Sequence, residues 1–181
     1  MIKYQSITWI LQYFTTVFTV ISMYRGFDPV FDSNSKILIL GSFPSVKSRE
    51  VGFYYGNARN RFWRIVSSAF GEYAGDTIED KISFLLRHNI ALWDIASSCD
   101  IVGSLDSNIR NPIISDVRKL VNSTSIRKIL CNGSKSYSLL CRQFPELCVI
   151  ATKLPSTSPA NFKFNADEWF SALRLSVTEI I

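Results

Sequence analysis

Four short apolar runs, separated by stretches of helical character, constrain most strongly what this chain can fold into. The first reads Lys-Ile-Leu-Ile-Leu-Gly over residues 36–41 and has no polar residue between its ends. Continuous runs of this kind are typical of strands buried on both faces of a parallel sheet. Strands are predicted at residues 36–41, 89–94, 126–133 and 147–152, and helices at about 76–87, 115–122, 135–143 and 167–180. The alternation predicts a three-layer α/β/α fold, with helices on both faces of a short four-stranded parallel sheet.

The length and composition of the chain fit one domain. It has 181 residues, of which 47% are hydrophobic, and domains typically contain about 100–200 residues. A chain of this size buries enough apolar surface to fold without disulfides or metals. No internal repeat and no linker divides it. We therefore expect a single domain over residues 23–181, preceded by an extension over residues 1–22.

The extension belongs to an unusual stretch, because no charged residue occurs between Gln5 and Tyr24. About 20 predominantly apolar residues can span a bilayer, but this stretch carries two glutamines and four threonines. The residues before Met23 fit a signal-peptide cleavage site badly. A membrane anchor, a genuine extra helix or strand, and a start codon assigned upstream of the true start at Met23 are all open. The mis-assigned start is favoured, and no membrane association is expected.

The cysteines and the single histidine argue against two kinds of chemistry. Cys99, Cys131, Cys141 and Cys148 lack the paired spacing of zinc ligands. We interpret them as small buried side chains in the reduced state, which favours a cytoplasmic protein without a metal or other cofactor. His88 ends a predicted helix, where a cation suits the helix dipole. A Ser-His-Asp hydrolase is therefore disfavoured, since that mechanism needs a histidine beside the nucleophile.

Ligands of open parallel sheets bind beyond the carboxyl ends of the strands. The segments at that edge are residues 41–63, 94–111, 132–137 and 153–165. The last segment places Ser156, Thr157 and Ser158 between two prolines. Hydroxyls and backbone N–H groups are common phosphate ligands, and the net charge of +5 allows an anionic partner. The alternative is an ordinary loop that caps the following helix.

Two of these loops resemble motifs of the uracil-DNA glycosylase superfamily. Residues 41–45 read Gly-Ser-Phe-Pro-Ser, and residues 52–63 read Gly-Phe-Tyr-Tyr-Gly-Asn-Ala-Arg-Asn-Arg-Phe-Trp. Together they resemble motif 1 at the spacing found in the mismatch-specific uracil glycosylases. Residues 154–161 stand where motif 2 is expected, and the turn at residues 133–135 is similar to the Gly-Lys turn of that branch.

The resemblance extends over about residues 27–165, so Met23 lies where such proteins usually start. Residues 90–94 and 103–107 look most like the deoxyinosine (hypoxanthine) DNA glycosylase branch. The Gly-Ser-Phe-Pro start of motif 1 is also similar to that branch, in which the asparagine at the position of Asn60 is implicated in catalysis.

Three departures from motif 1 also favour the deoxyinosine branch. Phe43 stands where the mismatch branch has a water-positioning asparagine, and Ser45 stands where other branches have an acid. Asn57 and Ala58 replace the usual His-Pro. Motif 1 therefore offers neither a carboxylate nor a histidine, which argues against the water activation used by uracil specialists.

The resemblance implies a monomeric, metal-free and monofunctional DNA glycosylase. Such an enzyme flips a deaminated base out of DNA, hydrolyses its N-glycosidic bond and leaves an abasic site, and hypoxanthine is the favoured base. Two alternatives are open: a uracil-DNA glycosylase specific for G·U mismatches, and a catalytically inactive DNA-binding member of the superfamily.

The resemblance also implies a set of site residues. Asn60 is the predicted catalytic residue, although its place before a helix also suits an N-cap. The predicted base pocket contains Gly41, Ser42, Phe43, Tyr55 and Asp94, and the predicted DNA-binding residues are Ser156, Thr157, Ser158, Asn161 and Lys135.

Individual roles within this set are predicted as well. Tyr55 is the stacking platform for the flipped base, and Asp94 either bonds the N1–H of hypoxanthine or caps a turn. Asp106 is expected to cap a turn. Ala160 occupies the position of the residue that wedges into the duplex but is too small, so Asn161 or Phe162 is expected to replace it.

Overall fold

The structure is a computed structural model that describes residues 23–178, with side chains described up to residue 174. The predictions for residues 1–22 fall outside this range. The described residues form seven strands: β1 (Met23–Arg25), β2 (Ile37–Gly41), β3 (Ile90–Asp94), β4 (Ala96–Asp100), β5 (Arg110–Ile114), β6 (Lys128–Asn132) and β7 (Ala151–Leu154). They also form six α-helices: α1 (Val46–Val51), α2 (Phe62–Phe70), α3 (Ile78–Arg87), α4 (Val117–Asn122), α5 (Ser134–Gln143) and α6 (Asp167–Thr178). None of the helices in this range is long and apolar enough to cross a membrane.

The predicted four-stranded parallel sheet is confirmed. Its strand order is β3-β2-β6-β7, and each neighbouring pair is parallel. Every residue of β2 is buried, because β2 has a strand on each side and helices over both faces. The register places Gly41 beside Asp94 and Asn132 beside Leu154 at the carboxyl ends. The loops that follow these strands therefore start from one edge of the sheet.

Alternate side chains of β2 enter two separate cores, as the two-residue period of a strand requires. Ile37 and Ile39 pack against residues of α2, α3 and α6. Leu38 and Leu40 point to the opposite face and pack against residues of α4 and α5. Burying one such side chain contributes about 1.5–3 kcal/mol. Two helical layers thus enclose the sheet, and the predicted three-layer architecture is confirmed.

The predicted helices occur within two residues of their expected starts. In α3 the start is fixed by a capping box. The Thr77 hydroxyl accepts a hydrogen bond from the backbone N–H of Asp80, and the Asp80 carboxylate accepts one from the backbone N–H of Thr77. The helix therefore begins at Ile78 rather than at residue 76.

The fourth predicted strand is misplaced. Residues 145–150 form a 3₁₀ helix that begins at Pro145, and strand β7 follows it over Ala151–Leu154. Proline has no N–H to donate and suits the first turn of a helix. The apolar run that begins at Leu147 therefore lies partly in the 3₁₀ helix, where Leu147 is buried and Val149 is exposed.

A second, antiparallel sheet was not predicted. Its strand order is β1-β4-β5. Strand β4 follows β3 in the chain, with only Ile95 between them. Its strands carry few apolar residues, and β5 contains Pro112, so no clear alternation marks them. The sheet packs through Cys99 and Ile109 onto Phe43 of the first motif.

The cysteine prediction is confirmed for two residues and wrong for the other two. Cys99 and Cys131 are free and buried. Cys141 of α5 and Cys148 of the 3₁₀ helix form a disulfide, with their Cα atoms 4.9 Å apart. The end of α5 and the following turn bring the two sulfurs together, which their spacing of seven residues did not reveal. The expectation of a cytoplasmic location rested on four reduced cysteines, and these two cysteines are not reduced.

The single histidine lies away from the carboxyl edge of the sheet and has structural partners. His88 follows α3 and its backbone N–H caps the end of that helix. Its Nε2 lies 2.8 Å from Oε2 of Glu72, and its ring stacks on Phe70 with 4.1 Å between centroids.

Candidate active site

A cavity of about 370 Å³ opens at the carboxyl edge of the parallel sheet. It lies between the ends of β2, β3 and β6 and the loops that follow β2, β4 and β7. Ten of the eleven predicted site residues line it: Gly41, Ser42, Phe43, Tyr55, Asn60, Asp94, Ser156, Thr157, Ser158 and Asn161. The structure thus brings these residues together, and their individual roles remain predictions. Lys135, the eleventh, is not among the lining residues.

The floor of the cavity carries a buried carboxyl group. Asp94 ends β3, is 5% exposed, and its Oδ2 has no hydrogen-bond partner in the described part of the chain. Its neighbour across the sheet is Gly41. A Cβ atom at Gly41 would lie 2.1 Å from Oδ1 of Asp94 and 3.1 Å from the Tyr55 hydroxyl. Only glycine leaves room for both polar groups at this point.

The surroundings of the Asp94 carboxyl favour its protonated form. Burial raises its pKa to about 8, and the negative charge of Asp106 acts in the same direction. Removing a carboxylate from water disfavours its charged form unless hydrogen bonds replace the lost hydration. A buried polar group without partners is uncommon in folded proteins and often marks a functional site. The alternative, that the Asp94 side chain caps a turn, is not supported because it makes no such bond.

Tyr55 forms one wall of the cavity in a strained conformation. Its φ angle is +52°, which is unusual for a residue other than glycine. One face of its ring stacks on Phe62 with 3.9 Å between centroids. Burial, with Asp94 next in importance, holds the pKa of Tyr55 well above its usual value, so the hydroxyl stays neutral. A base stacked on its other face remains a prediction.

Asn132 joins the wall to the second motif. Its Nδ2 donates to the Tyr55 hydroxyl at 3.0 Å and to Oγ1 of Thr157 at 2.9 Å. Its Oδ1 accepts the backbone N–H of Thr157 at 2.9 Å. Asn132 was not among the predicted site residues. Its position at the end of a buried strand was the one available signal.

Thr157 does not have the predicted role. Its side chain is fully buried, and its hydroxyl faces Asn132 inside the protein. A phosphate outside the cavity has no access to it. The prediction that the Thr157 side chain grips DNA is therefore wrong, and the residue instead anchors the loop to β6.

Asn60 makes one hydrogen bond at the start of α2 and has one free donor, while the N-cap position of that helix is occupied by Arg61. The Oδ1 of Asn60 accepts a hydrogen bond from the backbone N–H of Phe62, at 3.0 Å, in the first turn of α2. Its Nδ2 makes no hydrogen bond to another described residue. This bond fixes the plane of the amide and leaves the Nδ2 available for a ligand in the cavity that Asn60 lines.

Arg61 holds the loop that follows β7 against the first motif. Its backbone N–H donates to the Thr157 carbonyl at 3.1 Å. Its guanidinium donates to the carbonyls of Ser158 and Asn161, at 2.8 and 3.3 Å. Arginine is suited to this task because its donors lie in a fixed plane. Sequence reasoning did not assign this role, since the partners lie about 100 positions away along the chain.

The three candidate wedge residues differ sharply in their surroundings. The Asn161 side chain donates to the Ser156 carbonyl and accepts from the backbone N–H of Lys163. Ala160 is exposed but small. Phe162 is 95% exposed, although nothing in the described fold requires a phenylalanine there. Of the candidates, only Phe162 projects a large apolar group from the rim of the cavity.

The hairpin between β4 and β5 closes another side of the cavity. The Ser42 hydroxyl donates to Oδ1 of Asp106 at 2.5 Å, and the backbone N–H of Val46 donates to the Ser104 hydroxyl at 3.0 Å. Asp106 starts a short 3₁₀ turn but makes no capping bond there. The prediction that it caps a turn is therefore wrong, and its carboxylate instead lines the cavity. Ser42 and Asp106 are 64 positions apart in the sequence, so no local pattern indicates that they pair.

Two further predicted residues, Phe43 and Lys135, contribute less directly to the cavity. Phe43 is 9% exposed and holds the small sheet onto the first motif, so only part of its ring reaches the cavity. Lys135 is half-buried at the start of α5, and its positive charge acts on Asp106. A DNA contact by Lys135 remains a prediction.

The fold places two motif loops around a cavity at the carboxyl edge of a short parallel sheet. This arrangement is that of one class of enzymes that excise bases. The family model of the uracil DNA glycosylase superfamily matches residues 29–175, and the chain belongs to that superfamily.

Two similar proteins come from species of Methanosarcina. A hypoxanthine DNA glycosylase of Methanosarcina acetivorans is 39% identical over 157 residues, which is 83% of this chain and 98% of that protein. A hypoxanthine DNA glycosylase of Methanosarcina barkeri is 35% identical over 114 residues, which is 62% of this chain and 72% of that protein. The solution NMR structure of a candidate uracil DNA glycosylase from Methanosarcina acetivorans superimposes with a TM-score of 0.73 at 37% identity, over 86% of this chain and 99% of that one.

Proposed function

We propose that this protein is a monofunctional DNA glycosylase that hydrolyses the N-glycosidic bond of deoxyinosine in DNA, releasing hypoxanthine and leaving an abasic site. The observation that carries this proposal is the pair of unused polar groups in the cavity, the carboxyl of Asp94 and the Nδ2 of Asn60. The names of the two relatives support the same substrate.

The two unused groups complement the edge that deamination creates. When adenine becomes hypoxanthine, an amino group is replaced by a carbonyl oxygen, and the neighbouring ring nitrogen gains a hydrogen. The Asn60 Nδ2 is a donor, which suits a carbonyl oxygen and opposes an amino group. The Asp94 carboxyl has an oxygen to accept the ring N–H. A site with fixed polar groups rejects a base that leaves them unpaired by a large factor.

The same contact of Asn60 supports catalysis. As the glycosidic bond breaks, negative charge builds up on the departing base and positive charge on the sugar. A donor already in place on the base carbonyl stabilises that charge without having to reorganise. No lysine lies among the residues that line the cavity, so cleavage through a Schiff base is not part of this proposal.

Uracil at G·U mismatches is the second candidate substrate. Uracil also presents a ring N–H beside a carbonyl, so the same two groups of Asn60 and Asp94 complement it. The superfamily to which the chain belongs takes its name from this activity.

Base release from defined duplexes tests the proposal. The full chain is incubated with duplexes containing one deoxyinosine, one deoxyuridine or one xanthine nucleotide, and abasic sites are then cleaved with hot alkali. We expect strand cleavage at deoxyinosine and none in the undamaged duplex. Release from uracil alone would support the second candidate. Intact DNA binding without any cleavage would show an inactive DNA-binding member and overturn both activities.

Phe162→Ala is expected to slow base release from duplex DNA about tenfold or more. An aromatic side chain that fills the gap left by a flipped base contributes roughly 1–3 kcal/mol through stacking. The measurement compares single-turnover rates on deoxyinosine in double-stranded and single-stranded DNA. Only the duplex rate should fall, because a single strand has no stack to hold open. Phe162→Leu is the matched control and should lose less, whereas equal losses on both substrates would contradict a wedge role.

A further inference from the structure

Motif 1 of this chain has no carboxylate, yet the folded cavity contains one that faces a hydroxyl of that motif. Asp106 comes from the hairpin between β4 and β5, and its Oδ1 accepts the Ser42 hydroxyl at 2.5 Å. The side chain lines the cavity together with Asn60 and Asp94. Its Oδ2 makes no hydrogen bond to another described residue. One oxygen is thus held by the protein, and the other remains available for a ligand or a water molecule.

We propose that Asp106 is a second catalytic residue, whose carboxylate accepts a proton from the water that attacks the sugar. This inference rests on the proposed glycosylase function. It supplies the general base that the sequence of motif 1 lacks, from a part of the chain that the motif does not include.

The reaction balances with water as the only co-reactant. The water oxygen forms a bond to C1′ of the sugar while one of its protons passes to the Asp106 carboxylate. The bond between C1′ and the base nitrogen breaks, and its electron pair leaves with the base, whose carbonyl is held by Asn60. The proton then passes from Asp106 to the departed base, which restores the carboxylate. The products are the abasic sugar and the free base.

The surroundings of Asp106 suit a proton acceptor. The titratable groups of the described structure that interact electrostatically with Asp106 are Asp94 on β3, Tyr55 on the wall and Lys135 on α5. Burial raises the pKa of Asp106 above its usual range, while the Ser42 hydroxyl and the Lys135 charge oppose that rise. A carboxylate with a raised pKa is a stronger base. Burial raises the pKa of the neighbouring Asp94 to about 8, and two carboxyl groups in different surroundings can take different roles in catalysis.

The competing explanation is that Asp106 only anchors its hairpin to motif 1. The hairpin has a second anchor in the bond from Val46 to Ser104. Asp106→Asn separates the two roles, because the amide oxygen of asparagine can still accept the Ser42 hydroxyl but cannot take up a proton. Asp100→Asn is the matched control: it makes the same charge change on the same hairpin, at a residue that does not line the cavity.

The test measures single-turnover release of hypoxanthine from a duplex with one deoxyinosine, between pH 5 and pH 8. General-base catalysis typically contributes 10²–10⁴-fold, so Asp106→Asn should slow release by about that factor, with DNA affinity and melting temperature close to wild type. The wild-type rate should fall as acid protonates Asp106, and this fall should disappear in Asp106→Asn but persist in Asp100→Asn. A rate for Asp106→Asn within about threefold of wild type, or an unchanged acid limb, would overturn the assignment and leave the glycosylase function standing. If the wild-type protein releases no base, the proposed function fails and this inference fails with it.

Discussion

Asn60→Ala is expected to slow base release about 10²–10³-fold, with little change in affinity for DNA, because it removes the Nδ2 donor that we propose bonds the base. Losing a single preorganised donor to a developing negative charge typically costs that factor. Affinity should persist because phosphate contacts supply most of the binding free energy. The measurement is single-turnover release of hypoxanthine at saturating enzyme, paired with a titration of the same duplex for the dissociation constant.

The Asn60 side chain also accepts a hydrogen bond from the first residue of α2, so its two roles have to be separated. Asn60→Ala removes the acceptor for the Phe62 N–H and should cost about 0.5–2 kcal/mol of stability. Asn60→Asp keeps that acceptor but presents no N–H donor to the base. We expect Asn60→Asp to melt close to the wild-type temperature and to be as inactive as Asn60→Ala. A wild-type rate in Asn60→Asp would contradict the donor role even if the protein is a glycosylase.

Asn132→Ala is expected to have the second large effect, and this effect is mainly on the stability of the folded protein. The substitution removes the partners of the Tyr55 hydroxyl and of both polar groups of Thr157. Each of these three groups costs about 1–3 kcal/mol when it is left without a partner, so we expect a loss of about 3 kcal/mol or more. For a protein of this size that corresponds to a melting temperature lower by roughly 6 °C or more. Thermal denaturation followed by circular dichroism measures it.

Thr157→Val is the control for this network. Valine has nearly the same shape, and the backbone N–H of residue 157 can still donate to Asn132. Only one hydrogen bond is lost, so the expected loss is nearer 1 kcal/mol. Base release should decrease more in Asn132→Ala than in Thr157→Val, since only the former also frees Tyr55. Equal melting temperatures for Asn132→Ala and the wild type would contradict a structural role for this network.

The parallel sheet and its helices were predictable because local sequence determines them. A strand buried on both faces has to be continuously apolar, as residues 37–40 are, and an amphipathic helix repeats every three to four residues. The carboxyl edge of such a sheet is where its ligand site forms. The loops after β2 and β7 could therefore be selected in advance. The resemblance to known motifs then pointed to nine residues of these two loops that line the cavity, and to Asp94 at the end of β3.

The remaining features depend on contacts between residues that are distant in sequence. Asp106 enters the cavity because a weakly apolar hairpin folds over Ser42, and Arg61 holds the second loop from about 100 positions away. Thr157 looked like a surface hydroxyl, yet its partner Asn132 turns it inward. Local composition shows which residues prefer burial or a turn, but it does not show which distant polar groups will meet. Those pairings, and the raised pKa of Asp94 that follows from burial beside Asp106, arise only when the chain packs around the sheet.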